Sequence, residues 1–330
     1  MTKKTIAIVG AGLAGLSCAV RLTELGHHVE LFEKSRVPAG RMSTKRGEGW
    51  AADHGAQYFT ARDPLFIEQV EKWQADHAVA LWTPEIKVYE ANQWSTFQSQ
   101  DLRYVGIPAM NSPAKHLAKE LVLHASQTID ALSRKDDHWL LHSAETGDIE
   151  KGFDALILAI PGPQALTLAQ HLDPEIQTIA GQSNMKGCWT LMARFQQQPK
   201  VPFEAAFVNQ EIISWVARNS SKPQRTGQES WTIQANPLWS QEFIELSKEE
   251  VTERMLACAK KLGLDCAAAE ISVHRWRYAS GATAAALGFY SNPELYLGLC
   301  GDWLNGGRVE GAWLSGYHLA NKITHRELSS

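Results

Sequence analysis

An α/β fold, in which a parallel sheet covered by helices carries a second, α+β domain, follows from three features of the chain. They are a glycine-rich βαβ unit at the start, loosely alternating apolar segments in the middle, and a second glycine-rich strand-to-helix transition near the end. The opening unit is the most compact. Ile6–Val9 is continuously apolar, as in a parallel strand buried on both faces, and it enters Gly10, Ala11, Gly12, Leu13, Ala14 and Gly15, a GxGxxG. Leu16, Ala19, Val20, Leu22 and Leu25 then have helical spacing up to Gly26, and His28–Glu33 has the character of a second strand ending on a carboxylate. Strand, helix, strand and terminal acid together make a Rossmann-type dinucleotide-binding unit.

Each residue type in that unit has a physical task. Gly10 permits the tight turn, Gly12 omits a side chain that would hold a pyrophosphate off the backbone, and Gly15 lets the helix approach the strands. The first helical turn, at Leu13 and Ala14, presents unpaired N–H groups to phosphates. Glu33, 23 residues after Gly10, is placed to accept hydrogen bonds from an adenosine ribose, and its charge opposes a 2′-phosphate there. Lys34 opens the loop that runs to Gly40 and Arg41, where the dinucleotide emerges, and all three are assigned to the cofactor site. Arg41 has two readings, a charge for the pyrophosphate or a solvated loop arginine.

Composition bounds the function. A chain of 330 residues is long enough for two domains sharing a large core. With 32 basic and 36 acidic residues the net charge is -4, which gives no overall bias toward nucleic acid or an anionic membrane, and neither is expected as a partner. Lys3 and Lys4 before an apolar stretch imitate a secretory signal, but the glycine spacing and the Glu33 strand argue against one. No run of 18 or more apolar residues is available to span a bilayer. The five cysteines, Cys18, Cys188, Cys258, Cys266 and Cys300, are odd in number and form no CxxC pair, so a reducing cytosol is expected and no metal site is assigned.

Further along, Gly49 to Thr60 mixes glycine, polar groups and aromatics in the manner of a loop and strand near a ligand. His54 within it is either an acid or base or a structural histidine. Pro64 to Ala78 has helical spacing through Phe66, Ile67, Val70 and Trp73. From Trp82 to Phe97 apolar residues alternate as in an antiparallel sheet. Tyr104 to Asn111 is expected as a loop, and Ser112 as the cap of a helix that continues through Leu117, Leu121 and Leu123. Trp139–His142 and Ala155–Ile160 are strands, the second stopped by Pro161. Strands are then expected at Cys188–Phe195, Phe203–Val208, Ile212–Ala217 and Ser230–Ala235, with a helix over about 248–262. Gln234, Asn236, Trp239, His274, Trp276, Arg277 and Tyr278 are expected where strands of this second domain end. Gln234 and Asn236 are assigned to the substrate because an amide both donates and accepts. The division is a nucleotide domain of residues 1–75, 105–163 and 279–330, and a substrate domain of residues 76–104 and 164–278.

The chain closes with the strand Leu295–Cys300, then Gly301 and Asp302, and then a glycine-rich run from Gly306 to Gly316. A second helix N-terminus can therefore face the cofactor, with Val309, Glu310 and Gly311 at its start and Asp302 accepting from hydroxyls. NAD does not require this second anchor. FAD, which has a ribityl chain and a large ring, does, and FAD is the expected cofactor.

Gly10 to Gly15, Glu33, Gly40 with Arg41, Asp53 to Phe59 and Cys300 to Gly316 resemble the flavin amine-oxidase superfamily over nearly the whole chain. Within it the chain resembles the bacterial renalases, through Met42–Arg46, Asp53–Thr60, Trp231–Ser240, His274–Ala279 and Gly301–Gly316. The resemblance implies a fold of the p-hydroxybenzoate hydroxylase type, with substrate held over the flavin against the second domain's sheet. It implies a small-molecule substrate, a 2- or 6-dihydro isomer of NAD(P)H, with O2 as electron acceptor and hydrogen peroxide as product. Amine oxidation is the alternative. Some relatives tether FAD through a cysteine shortly before the last glycine motif; here Cys300 directly precedes Gly301 and no cysteine follows, so the flavin is expected to be noncovalent. A dihydropyridine already carries a transferable hydride, and no catalytic acid or base is assigned.

Overall fold

A computed structural model describes residues 3–210, 212–281 and 286–325. Part of the expected nucleotide-domain segment 279–330 thus lies outside the described residues. Two sheets organise the molecule. The first has six strands in the spatial order Phe289–Asn292, Leu297–Cys300, Ala155–Leu158, Thr5–Val9, His28–Glu33 and Val122–Ala125. All neighbours are parallel except the first pair. The central strands are apolar on both faces because both are covered: Ile6, Ile8 and Leu31 lie in one buried cluster with the helix Leu13–Glu24, and Ala7, Val9 and Leu156 lie in another. The last helix, Val309–His325, packs on the first so closely that a Cβ on Gly316 would lie 2.0 Å from the Ala14 carbonyl oxygen. Ser17 donates to the Trp313 carbonyl across the same seam at 2.8 Å. The two glycine-rich segments of the sequence are therefore neighbours in space.

The second sheet has seven strands, ordered Glu270–Ser280, Lys186–Phe195, Glu229–Ala235, Ile213–Arg218, Ala205–Gln210, Ile86–Glu90 and Gln93–Thr96. Its outer face is covered by the helix Lys248–Lys261, which buries Val251, Met255, Cys258 and Ala259 and starts in a capping box between Ser247 and Glu250. The sheet is mixed rather than antiparallel throughout: Ile86–Glu90, the first strand of a hairpin with Gln93–Thr96, runs parallel to Ala205–Gln210.

The structure corrects several expectations. The helix from Ser112 stops at Leu117, and Val122–Ala125 is a strand paired with His28–Glu33. Leu117 and Leu121 fit a helix locally, but the open edge beside Glu33 offers backbone partners that only an extended Leu123 can use. Ser112 is not the cap; Asn111 occupies that position without a side-chain bond, and the Ser112 hydroxyl accepts from the Ala109 N–H at 3.3 Å. Tyr104–Gly106 is a short strand paired with Val79–Leu81 rather than a loop. His274 to Tyr278 lie inside the strand Glu270–Ser280, not at a strand end. Residues 164–181, assigned to the substrate domain, form most of the helices Gly162–Ala169 and Pro174–Gly181, which bury Ala165, Leu168, Ile176 and Ile179 in the cluster of the parallel sheet.

Candidate active site

Between the two sheets lies a cavity of about 1150 Å³. Its first end is made by the glycine loop. Gly10 has φ +102°, and a Cβ there would lie 2.6 Å from the Ala159 carbonyl oxygen, so both conformation and space demand glycine. A Cβ on Gly12 would meet nothing within 4 Å, since that residue faces the cavity. Gly15 is away from the cavity; its role is the helix–loop contact, where a Cβ would stand 2.1 Å from the Gly10 carbonyl oxygen. Leu13, Ala14, Lys34 and Gly40 also line this end. Glu33 is buried, and its carboxylate accepts from the Ala11 and Ser35 N–H groups, each at 2.8 Å. These bonds hold the end of the second strand against the glycine loop and leave lone pairs for a ligand hydroxyl.

Arg41 and Asp302, assigned separately to pyrophosphate and hydroxyls, form a two-pronged ion pair across the cavity wall. One of its contacts, Nη1 to Oδ2, is 2.9 Å. Arg41 also donates to the Ala279 carbonyl at 3.2 Å. The guanidinium charge is thus balanced by Asp302, and the pair joins the end of the first domain's loop to the last glycine motif. Gly301 and Val309 line the cavity with them. Gly311 and Glu310 do not. Gly311 makes room for the Asn305 carbonyl, which a Cβ would approach to 1.9 Å, and Glu310 accepts from the Arg62 and Asp63 N–H groups at 2.6 and 2.7 Å.

The other end of the cavity is the seven-stranded sheet. Thr190 is paired with Gln234 on one side and His274 on the other, which puts both chemistry-bearing side chains in one row of the sheet. Gln234 donates from Nε2 to the Gly55 carbonyl at 2.8 Å and lines the cavity. Asn236 does not line it: its Oδ1 caps the helix Pro237–Glu242, accepting from Leu238 N–H at 2.8 Å. A polar residue just before Pro237 is a capping signature, and that local reading outweighs the substrate assignment.

His54 stacks on Trp276 with 5.1 Å between ring centroids and meets His274 edge-on at 4.6 Å, while Trp276 donates to the His54 carbonyl at 2.9 Å. Burial drives the His54 pKa down to about 4, helped by His274 and Lys45. Burial, with Lys45 and Lys248, brings His274 to about 4 as well. Both imidazoles are neutral at pH 7. His54 is therefore part of the cavity wall rather than a lone polar residue in a loop, and its buried Nδ1 has no hydrogen-bond partner. Cys188 also lines the cavity, but burial pushes its thiol up to about 11, so it is protonated. Cys300 is fully buried and faces Cys18 of the first helix, outside the cavity.

Sequence reasoning missed a buried ionic cluster directly behind His54, formed by Asp53, Lys222 and Arg225. No spacing rule joins positions so far apart in the chain.

The lining fits FAD. An open glycine face, a buried carboxylate beside it, and the N-termini of the helices Leu13–Glu24 and Val309–His325 all meet one cavity, with an aromatic and amide-bearing surface beyond them. Glu33, Gly12, Arg41 and Asp302 would hold the cofactor.

Comparison with known proteins agrees. Residues 8–70 match an NAD(P)-binding Rossmann-like domain, and residues 84–324 match flavin containing amine oxidoreductase. An L-amino acid oxidase of Cerastes cerastes is 42% identical over 72 residues, which is 21% of this chain and 14% of that protein. The chain therefore matches only a small part of the length of such curated relatives. Among solved structures, a protein assigned as a protoporphyrinogen oxidase from Exiguobacterium sp. 255-15 aligns with TM-score 0.79 and 13% identity over 100% of both chains. Cyclohexylamine oxidase from Brevibacterium oxydans aligns with TM-score 0.77 and 13% identity, again over 100% of both. At such identities these structures share the fold. With its parallel-sheet cofactor site, its second sheet facing the cavity and the family match over most of its length, this chain belongs to the flavin-containing amine oxidoreductases, an oxidoreductase family whose cofactor is FAD.

Proposed function

We propose that the protein is an FAD-dependent oxidase of the 2- and 6-dihydro isomers of NAD(P)H, acting in the cytosol as a renalase-like metabolite-repair enzyme that returns NAD(P)+ and yields hydrogen peroxide. The charge distribution of the cavity carries this reading. Among the described lining residues the carboxylates are Glu33, Asp130 and Asp302. Glu33 is engaged by backbone N–H groups, Asp302 by Arg41, and Asp130 by His142 at 2.7 Å. The sheet end offers no carboxylate. It presents neutral His54 and His274, Gln234, Trp276 and Tyr278, while the alternating Arg275 and Arg277 turn their guanidinium groups to Glu245 on the other face of the sheet. A protonated amine finds no counter-ion there. A neutral dihydropyridine with a carboxamide finds an amide and aromatic faces.

When bound, FAD supplies the two-electron acceptor and delivers the electrons to O2. The chain's own part is positioning. Gln234 orients a carboxamide, and the uncharged histidines do not repel the positive charge that the pyridinium ring acquires as hydride leaves. Trp276 and Tyr278 give that ring aromatic surface and keep water away. No side chain has to move a proton for hydride to leave.

Anaerobic stopped-flow mixing with 2-dihydro-, 6-dihydro- and ordinary 4-dihydro-NAD, beside a panel of primary and aromatic amines, tests the assignment. The two misformed isomers should bleach the flavin rapidly, and air should restore the colour. Fast bleaching by an amine and none by the isomers overturns it; equal rates with all three dihydro isomers remove the repair role. Oxygen incorporated into product would indicate a monooxygenase.

A further inference from the structure

The Asp53–Lys222–Arg225 cluster lies in a dry junction between the two domains. The Lys222 and Asp53 side chains are 0% exposed and Arg225 3%. The Asp53 carboxylate accepts from Thr44 Oγ1 at 2.6 Å, Met110 N–H at 3.1 Å, Lys222 Nζ at 3.1 Å and Arg225 Nη2 at 2.7 Å. Arg225 donates also to the Gly106 carbonyl at 2.9 Å. Lys222 stands over the Trp82 ring, 5.5 Å from its centroid. Two cations thus share one carboxylate, and one positive charge is left over in a region without solvent. Such a charge is costly to bury unless an anion lies within reach of its field.

The cluster is two hydrogen bonds from the cavity. Lys222 Nζ donates to Gln57 Oε1 at 3.3 Å, and Gln57 Nε2 donates to the Gly55 carbonyl at 3.1 Å. Gly55 lines the cavity, and the same carbonyl receives the Gln234 amide. A Cβ on Gly55 would lie 1.9 Å from the Arg41 carbonyl oxygen and 3.4 Å from Trp276, so this wall segment sits where the cofactor-facing and sheet-facing sides meet. Beyond the wall, bound FAD becomes more negative when it takes up two electrons.

We propose that the surplus buried charge of the Asp53–Lys222–Arg225 cluster favours reduced over oxidised FAD, with Lys222 as the positioning residue that acts through Gln57 and the Gly55 wall. The family assignment alone supports the premise that FAD binds, so the proposal stands or falls independently of the dihydronicotinamide reading. Burial lowers the Lys222 pKa to about 8, with Arg225 adding to the depression and Asp53 opposing it. The side chain is therefore mostly protonated at neutral pH.

The test is the two-electron midpoint potential of the holoenzyme, measured against redox dyes without substrate. Lys222→Met leaves the Asp53–Arg225 pair neutral and removes the surplus charge. It should shift the reduction equilibrium at least tenfold toward oxidised flavin, about 30 mV, and Lys222→Arg should restore the wild-type potential. A purely structural lysine would alter thermal stability or FAD retention and leave the potential in place. An unchanged potential in Lys222→Met, or an arginine variant as low as the methionine one, overturns the proposal. Should the methionine variant not retain FAD, the wild-type enzyme is titrated instead. Its potential should show a break near pH 8, as Lys222 loses its proton, that is missing in Lys222→Arg; a potential without that break overturns the proposal.

Discussion

Gly12→Ala and Gly15→Ala, two residues of one motif, should fail in opposite ways. Gly12 is the residue preceding the first helix, with φ -72° and ψ 177°, a conformation that alanine adopts freely, and its added methyl would meet nothing within 4 Å. The cofactor-free protein should therefore lose no more than about 1 kcal/mol, the cost of a poorer residue at a helix N-cap. Bound FAD would meet that methyl if its phosphates lie on the Gly12 backbone. Overpacking at such a contact costs about 1–3 kcal/mol, roughly 5- to 150-fold in Kd at about 1.4 kcal/mol per tenfold. At Gly15 the methyl would press to 2.1 Å from the Gly10 carbonyl oxygen and 3.0 Å from the Ala159 side chain. The backbone must move, and the helix-propensity gain of about 1 kcal/mol does not offset it. A net loss of about 2 kcal/mol or more is expected in the cofactor-free protein. Urea unfolding of the cofactor-free variants and FAD titration by flavin fluorescence separate the two effects. Wild-type FAD affinity in Gly12→Ala would show that the phosphates lie elsewhere, and wild-type stability in Gly15→Ala would refute the close contact.

Gln234→Ala should raise the KM for substrate, because its amide faces the cavity, whereas Asn236→Ala should cost about 1 kcal/mol of stability through the lost cap and leave KM alone; steady-state kinetics beside urea unfolding decides, and a raised KM in the Asn236 variant refutes its structural role. The pH dependence of stability follows from His54, whose pKa of about 4 in the fold is below its ordinary value. The unfolded chain then binds the extra proton first, so stability present above about pH 6.5 is lost as pH falls toward 4, by up to about 3 kcal/mol, with His274 adding less because it is more solvated. Urea midpoints at pH 7 and 4.5 should differ less in His54→Phe than in the wild type, and equal slopes would remove the assignment.

The βαβ unit was legible because every part of it is local. Gly10, Gly12, Gly15 and Glu33 fall within one strand-helix-strand passage, and their spacing is dictated by the length of that passage. The same holds for the last strand and helix, which are joined by a second glycine-rich segment. Errors arose where one local pattern serves two structures. Leu117, Leu121 and Leu123 satisfy a helix or a strand, and the empty edge beside His28–Glu33 decided between them. Asn236 before Pro237 can cap or bind, and the cap prevailed because the helix N–H groups are adjacent in sequence and always present.

By itself the sequence determined the parallel nucleotide-binding unit, its open phosphate-facing glycine, the need for a second anchor near Gly301, and most of the strands of the second sheet. Tertiary structure alone decided how the distant pieces meet. Arg41 and Asp302, assigned separately to a ligand, neutralise each other across 261 positions. Gln234 and His274 become one row through the register on Thr190. Asp53, unremarkable in its strand, collects Lys222 and Arg225 from 169 and 172 positions away. The physical reason is that spacing along a chain encodes hydrogen bonds and faces within an element, whereas charge balance and burial depend on which elements share a wall, and that is settled only when the two sheets close on one cavity.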